Sequence, residues 1–173
     1  MASVLQLFAE MLRLRAAPQD LPARDGIVVG SVVAAAGAAL LAIRSLYPLD
    51  MAAARIALDL VLQLVFVVAV LRLAGHPERF RQTFSALCGT GAILVLLTWP
   101  LNDILASRPP ESGLAAGAVL LLFGIYGWSV LVAGHILRHA LGLTLGRGVL
   151  VALGYIVVAT FIAAVLVPPP GPA

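Results

Sequence analysis

Ile27–Ile43 reads IVVGSVVAAAGAALLAI, seventeen residues without a charge. A helix crosses the hydrocarbon core of a bilayer with about 20 predominantly apolar residues. Comparable stretches recur downstream. Gln82–Asn102 carries no formal charge, Ser112–Leu137 contains only His135 as a titratable side chain of the basic class, and Gly148–Val167 has none. Ile56–Leu71 is apolar apart from Asp59 and Gln63. Five runs separated by short polar connectors predict an all-α polytopic membrane protein with five transmembrane helices.

Working outward from Ile27–Ile43, the first span is expected over about 26–46. Gly26, Gly30, Ala34 and Ala38 recur every four residues along it. Small residues at that interval let helix backbones approach closely in lipid, so this face is expected to pack inside the bundle. Tyr47-Pro48 ends the span, and a second runs from Met51 to about Ala74. Gly75-His76-Pro77 breaks it. The third span is expected over Thr83–Leu101, with Trp99-Pro100 at its far end and a turn at Arg108–Pro110. The fourth covers Gly113–Leu137 and the fifth Arg147–Val167. Gly124 and Gly127 on the fourth suggest close helix contact. Residues 26–167 thus form one transmembrane domain, and the Pro-rich tail, 168–173, reads as extended and disordered.

Upstream, Val4, Leu5, Leu7, Phe8, Met11 and Leu12 recur at helical spacing with Gln6, Glu10 and Arg13 between them. Residues 1–25 therefore read as a short amphipathic helix and a loop, the helix lying on the membrane surface or packed on the end of the bundle. Glu10 and Arg13 interrupt the apolar stretch and no small-residue cleavage pattern follows, so the first span is expected to be an uncleaved anchor.

Composition narrows the function classes. The chain of 173 residues is 62% hydrophobic and 11% charged, whereas soluble domains are about 25% charged. The net charge is +3, all eleven basic residues are Arg, and they are scattered between the spans. That scatter argues against nucleic-acid binding, which gathers basic residues on one face. With five spans, Arg13, Arg15, Arg24, Arg72, Arg79, Arg81, Arg138 and Arg147 fall on one side, and Arg44, Arg55 and Arg108 on the other. The positive-inside rule then puts the N-terminus in the cytoplasm and the C-terminus outside. Cys88 is the only cysteine, which excludes an intramolecular disulfide and a Cys-rich metal site.

Few residues interrupt the apolar runs, and these are the candidates for function. Arg55, Asp59 and Gln63 are spaced i, i+4, i+8 on one face of the second span. Ionisable groups at that depth are costly unless paired, and Arg55 can pair with Asp59 one turn away. The stripe is either a self-satisfied pair or an intramembrane polar site. His135, Arg138 and His139 share a face at the end of the fourth span. Two His with an intervening Arg make a poor metal site, and no cofactor is implied. With Arg79, Arg81 and Arg147 they are expected to contact anionic headgroups or an acidic partner. Tyr126 and Trp128 lie deeper, where each polar atom needs a partner. No catalytic constellation is present in the sequence, so no enzyme activity is expected.

His76–Leu105 reads HPERFRQTFSALCGTGAILVLLTWPLNDIL. The Gly turn before it, the aromatic and basic residues, and a span ending near Pro resemble the Yip family of membrane proteins. Gly127-Trp128-Ser129, followed by a polar turn and Gly146–Ala152, resembles that family's Trp-containing fourth span and its link to the fifth. The resemblance covers about 75–167. It implies five spans and a non-enzymatic role in membrane organisation or as a scaffold. Eukaryotic members interact with Rab proteins through a long acidic N-terminal region that this sequence does not show. The Arg-only composition and minimal loops suggest a bacterial inner membrane. Expected partners are the lipid bilayer, anionic lipid, and a membrane-protein partner or further copies of the chain. A small transporter or channel subunit using the Arg55–Asp59–Gln63 stripe is the competing reading, and a membrane enzyme or ligand-binding sensor using Trp128, Tyr126 and His135 a third.

Overall fold

The computed structural model describes residues 3–44, 47–109 and 111–168. Its helices are α1 (Val4–Leu12), α2 (Asp25–Ile43), α3 (Leu49–Leu73), α4 (Phe80–Ser107), α5 (Gly113–Leu141) and α6 (Leu145–Leu166). The five from α2 to α6 are each long and apolar enough to cross a membrane, and no strand occurs among the described residues. The expected extended tail is described only at Pro168; residues 169–173, Leu46 at the end of the first expected span, and Pro110 of the expected turn lie outside the described residues.

Local chemistry sets the helix ends. Ser3 and Gln6 form a reciprocal capping box at the start of α1, and the Ser112 hydroxyl accepts the Ala115 N–H at the start of α5, each satisfying donors that have no partner within the helix. Gly75 (φ 77°) and Gly142 (φ 69°) take the left-handed conformation just past α3 and α5. After α3, the Gly75 N–H bonds the Arg72 carbonyl at 3.1 Å and the His76 N–H bonds the Leu71 carbonyl at 2.8 Å, the pair of bonds that define a Schellman stop. Leu14 (φ 60°) does the same after α1 without glycine's freedom.

α4 starts three residues earlier and α5 ends four residues later than expected, and the far end of α4 differs most. The third span runs past Pro100 to Ser107. A transmembrane helix tolerates Pro where neighbours satisfy the freed backbone. Beyond Pro100, the Asn102 side chain donates to the Ala42 carbonyl at 3.0 Å and ties this last section to α2.

α4 is the central helix: half of its apolar window is buried, against 11% for α6. Around it lie two apolar cores. One joins Phe8 and Met11 of α1, Leu21, Ala86 and Leu94 of α4, and Val132 and Ile136 of α5. The other joins Val67 and Leu71 of α3, Phe84 and Cys88 of α4, and Ala140 of α5. α2 packs on α4, α5 lies between α4 and α6, and α3 closes the side between α2 and α6.

The expected small-residue packing faces are corrected here. On α2, Gly26, Gly30 and Ala34 are exposed and only Ala38 is buried; a Cβ at Gly26 or Gly30 would meet nothing within 4 Å. The buried face carries Ser31, Ala38 and Ala42. Because one wide arc of small residues on α2 holds both sets, spacing alone does not select the face that meets α4. Gly124 and Gly127 of α5 are likewise exposed, with open space at their Cβ positions. The glycines that permit close approach are Gly89, beneath the Phe8 ring, and Gly134 and Gly148, where α5 crosses α6. A Cβ on Gly134 would fall 2.8 Å from the Val149 backbone, and one on Gly148 would meet the Gly134 carbonyl.

α1 packs on the bundle. Phe8 and Met11 are buried, Phe8 over Gly89 of α4, while the Trp128 indole of α5 donates to the Leu12 carbonyl at 3.0 Å. At its other end Val4 and Leu5 border a groove floored by Gly30, Ala34 and Gly37 of α2. α1 therefore crosses from α5 over α4 toward α2.

Candidate functional site

The Arg55–Asp59–Gln63 stripe forms as its spacing requires. Arg55 Nε donates to Asp59 Oδ2 at 3.2 Å, with a quarter of the Arg55 side chain and half of the Asp59 side chain exposed. Below the pair, Asp59 and Gln63 line a cavity of about 180 Å³ between α2, α3 and α4, together with Cys88. Gln63 also lines a second cavity of about 220 Å³ enclosed by α3, α4, α5 and α6. Leu87, Gly91 and Val95 of α4 form the partition shared by the two.

The Arg and His residues at the opposite end of α3 do not form one outward surface, and two expected headgroup contacts are corrected. His135 is 2% exposed, and its Nε2 lies 2.9 Å from the Ala16 carbonyl. It fastens the loop after α1 and does not face headgroups. Arg79 turns inward as well: its Nη1 donates to the carbonyls of Ala140 at 2.9 Å and His139 at 3.3 Å. A cation there satisfies orphan carbonyls and the negative end of the α5 dipole. Arg138 is half-buried, and its Nε is buried without a partner among the described residues. His139 is half-buried with its ring edge-on to His135, centroids 4.7 Å apart. Arg81 is half-exposed and pairs with Asp25 at 2.8 Å. Arg147 is exposed. Among the described residues no three metal-ligating side chains converge.

Two glutamines that the sequence reading passed over hold this end together. Gln82 donates to the carbonyls of Gln19 at 3.0 Å and Leu21 at 2.7 Å, and Gln19 donates to the His139 carbonyl at 2.7 Å. The available signal was a polar residue at the start of an apolar run facing a Pro-broken loop. Trp99, placed at the far end of the third expected span, lies beneath the Arg44 guanidinium, 5.1 Å from the ring centroid.

Fold and polar sites together define an integral membrane protein of the all-α, five-span class. Comparison with family models, with curated proteins and with solved structures returns no match.

Proposed function

We propose that this protein is a non-enzymatic, Yip-type membrane-organising or scaffold protein. The observation that carries the reading is the placement of α1. At about 1.5 Å per residue, α4 and α5 are roughly 42–44 Å long, against a hydrocarbon core of about 30 Å. α1 and its loop pack on Ala86, Val132 and Ile136, in the halves of α4 and α5 toward the end that gathers Arg13, Arg15, Arg24, Arg79, Arg81, Arg138 and Arg147. α1 thus widens the molecule at one end only, with Leu5 73% exposed on its outer side. Apolar volume added to one leaflet favours a curved bilayer, and exposed Arg beside it attracts anionic lipid. Gly26, Gly30 and Ala34, exposed on α2, support association with a membrane-protein partner or a second copy. We place the Arg-rich end in the cytoplasm of a bacterial inner membrane on the positive-inside rule.

Reconstitution into liposomes containing anionic lipid tests this. The protein should shift the vesicle-diameter distribution, seen by electron microscopy, toward smaller values, and Phe8→Ala should lose the shift. Equal distributions with and without α1 docked would end the reading.

A second reading, a small transporter or channel subunit, draws support from the two cavities that meet at Gln63. It requires water at position 59. In a Cys88→Ala background, Asp59→Cys should react with a polar thiol reagent from one side of the membrane; protection from both sides would remove it.

A further inference from the structure

The cavity among α3, α4, α5 and α6 has a composition that defines an occupant. Its volume of about 220 Å³ exceeds the roughly 150 Å³ that accommodates benzene in an apolar protein cavity, so it has room for a substituted ring. No lining residue carries a charge, which excludes an ionic ligand at this depth. Part of the wall is aromatic: Phe66 and Tyr155 stack with centroids 4.5 Å apart, and both line the cavity.

The polar atoms on the wall are sorted by their hydrogen bonds. Thr90 donates its hydroxyl proton to the Ala86 carbonyl at 2.6 Å, Thr98 to Val95 at 2.7 Å, and Ser129 to Tyr126 at 2.7 Å. Those three hydroxyls have spent their donors on their own helices. The donors left to the cavity are the Gln63 amide and the Tyr126 and Tyr155 phenols. Each of these donors can be met by an acceptor on the ligand. The mouth lies between the middle of α5 and the middle of α6, where Tyr126 is 54% and Ile156 37% exposed. Both positions are near mid-helix, so the cavity opens toward the bilayer interior.

We infer that this cavity binds a neutral, ring-bearing amphiphile dissolved in the bilayer, taken in between α5 and α6, with a carbonyl oxygen of the ring held by Gln63. The inference stands apart from the scaffold and transport readings, because it requires neither curvature nor a through path.

Gly91 makes a clean test possible. It lines the cavity, and a Cβ there meets nothing within 4 Å, so a side chain at this position starts in open space and Gly91→Leu reduces the volume left for a ligand. The probe is decylubiquinone, titrated into the intact protein in detergent and followed by quenching of Tyr and Trp emission, with circular dichroism to check each variant's fold. Saturable quenching is expected for the native chain, lost in Gly91→Leu and weakened roughly tenfold in Gln63→Leu by loss of a buried hydrogen bond. Palmitate, which has a chain and no ring, should not displace the probe. Absence of saturable binding, unchanged binding in Gln63→Leu, or displacement by palmitate would each overturn the inference. Should Gly91→Leu fail to fold, Gln63→Leu and the palmitate competition decide the matter.

Discussion

At the residue scale, two classes of glycine separate that the sequence makes look alike. Gly148 sits so close to α5 that an added Cβ meets the Gly134 carbonyl backbone, and backbone cannot yield as a flexible side chain can. Gly148→Leu should therefore lower stability by at least about 1–3 kcal/mol, the usual cost of overpacking. Gly124→Leu, into open space, should stay within about 0.5 kcal/mol. Thermal unfolding in detergent distinguishes the two, and equal losses would refute the packing of α5 on α6. His135 gives a second case. Its ring is buried against the Ala16 carbonyl, so His135→Phe leaves that acceptor without its partner and should cost about 1–3 kcal/mol. A surface histidine would show almost nothing.

At the scale of elements, the spans were legible and their faces were not. Uncharged runs of near 20 residues have one stable state in a bilayer, because every backbone group must be satisfied within the segment. Which side of α2 meets α4 is different. Gly26, Gly30 and Ala34 compete with Ser31, Ala38 and Ala42 for the same contact, and lipid supplies no hydrophobic preference between them. The Arg55–Asp59 pair was readable because it is local to one turn. The Gln82–Gln19 and His135–Ala16 bonds were not, since each joins positions more than 60 residues apart. The position of α1 follows from such long-range contacts and can be tested as a unit. Phe8→Ala opens a void over Gly89 and should cost about 3 kcal/mol, enough to loosen the helix. Trypsin should then cut after Arg13 or Arg15 in folded protein faster than in the native chain, and Trp128→Phe, which removes the donor to Leu12, should act in the same direction by a smaller factor. Unchanged digestion in both variants would mean that α1 is held by something other than Phe8 and Trp128.

For the whole molecule, alternation of five spans converts the Arg positions into an orientation. The helix directions place the start of α2, the junction of α3 with α4 and the junction of α5 with α6 at one end, and the hydrogen bonds of Arg79, Gln82 and Gln19 tie these junctions together. Arg44, Arg55 and Arg108 belong to the other end. Positive charge resists transfer across the membrane during insertion, so the Arg-rich end is expected to stay in the cytoplasm. The two ends can be addressed separately by single cysteines at exposed positions, Arg147→Cys at one and Glu111→Cys at the other, in a Cys88→Ala background. Glu111 is exposed and Arg147 lies in the first turn of α6, so neither change disturbs the core. In intact cells a membrane-impermeant maleimide should label Glu111→Cys and spare Arg147→Cys; after permeabilisation both should react. The opposite pattern would reverse the orientation and carry α1 to the outer leaflet, where the proposed curvature would change sign. Labelling of both from outside would mean that an odd number of spans does not separate the two positions, and the five-span assignment itself would fall.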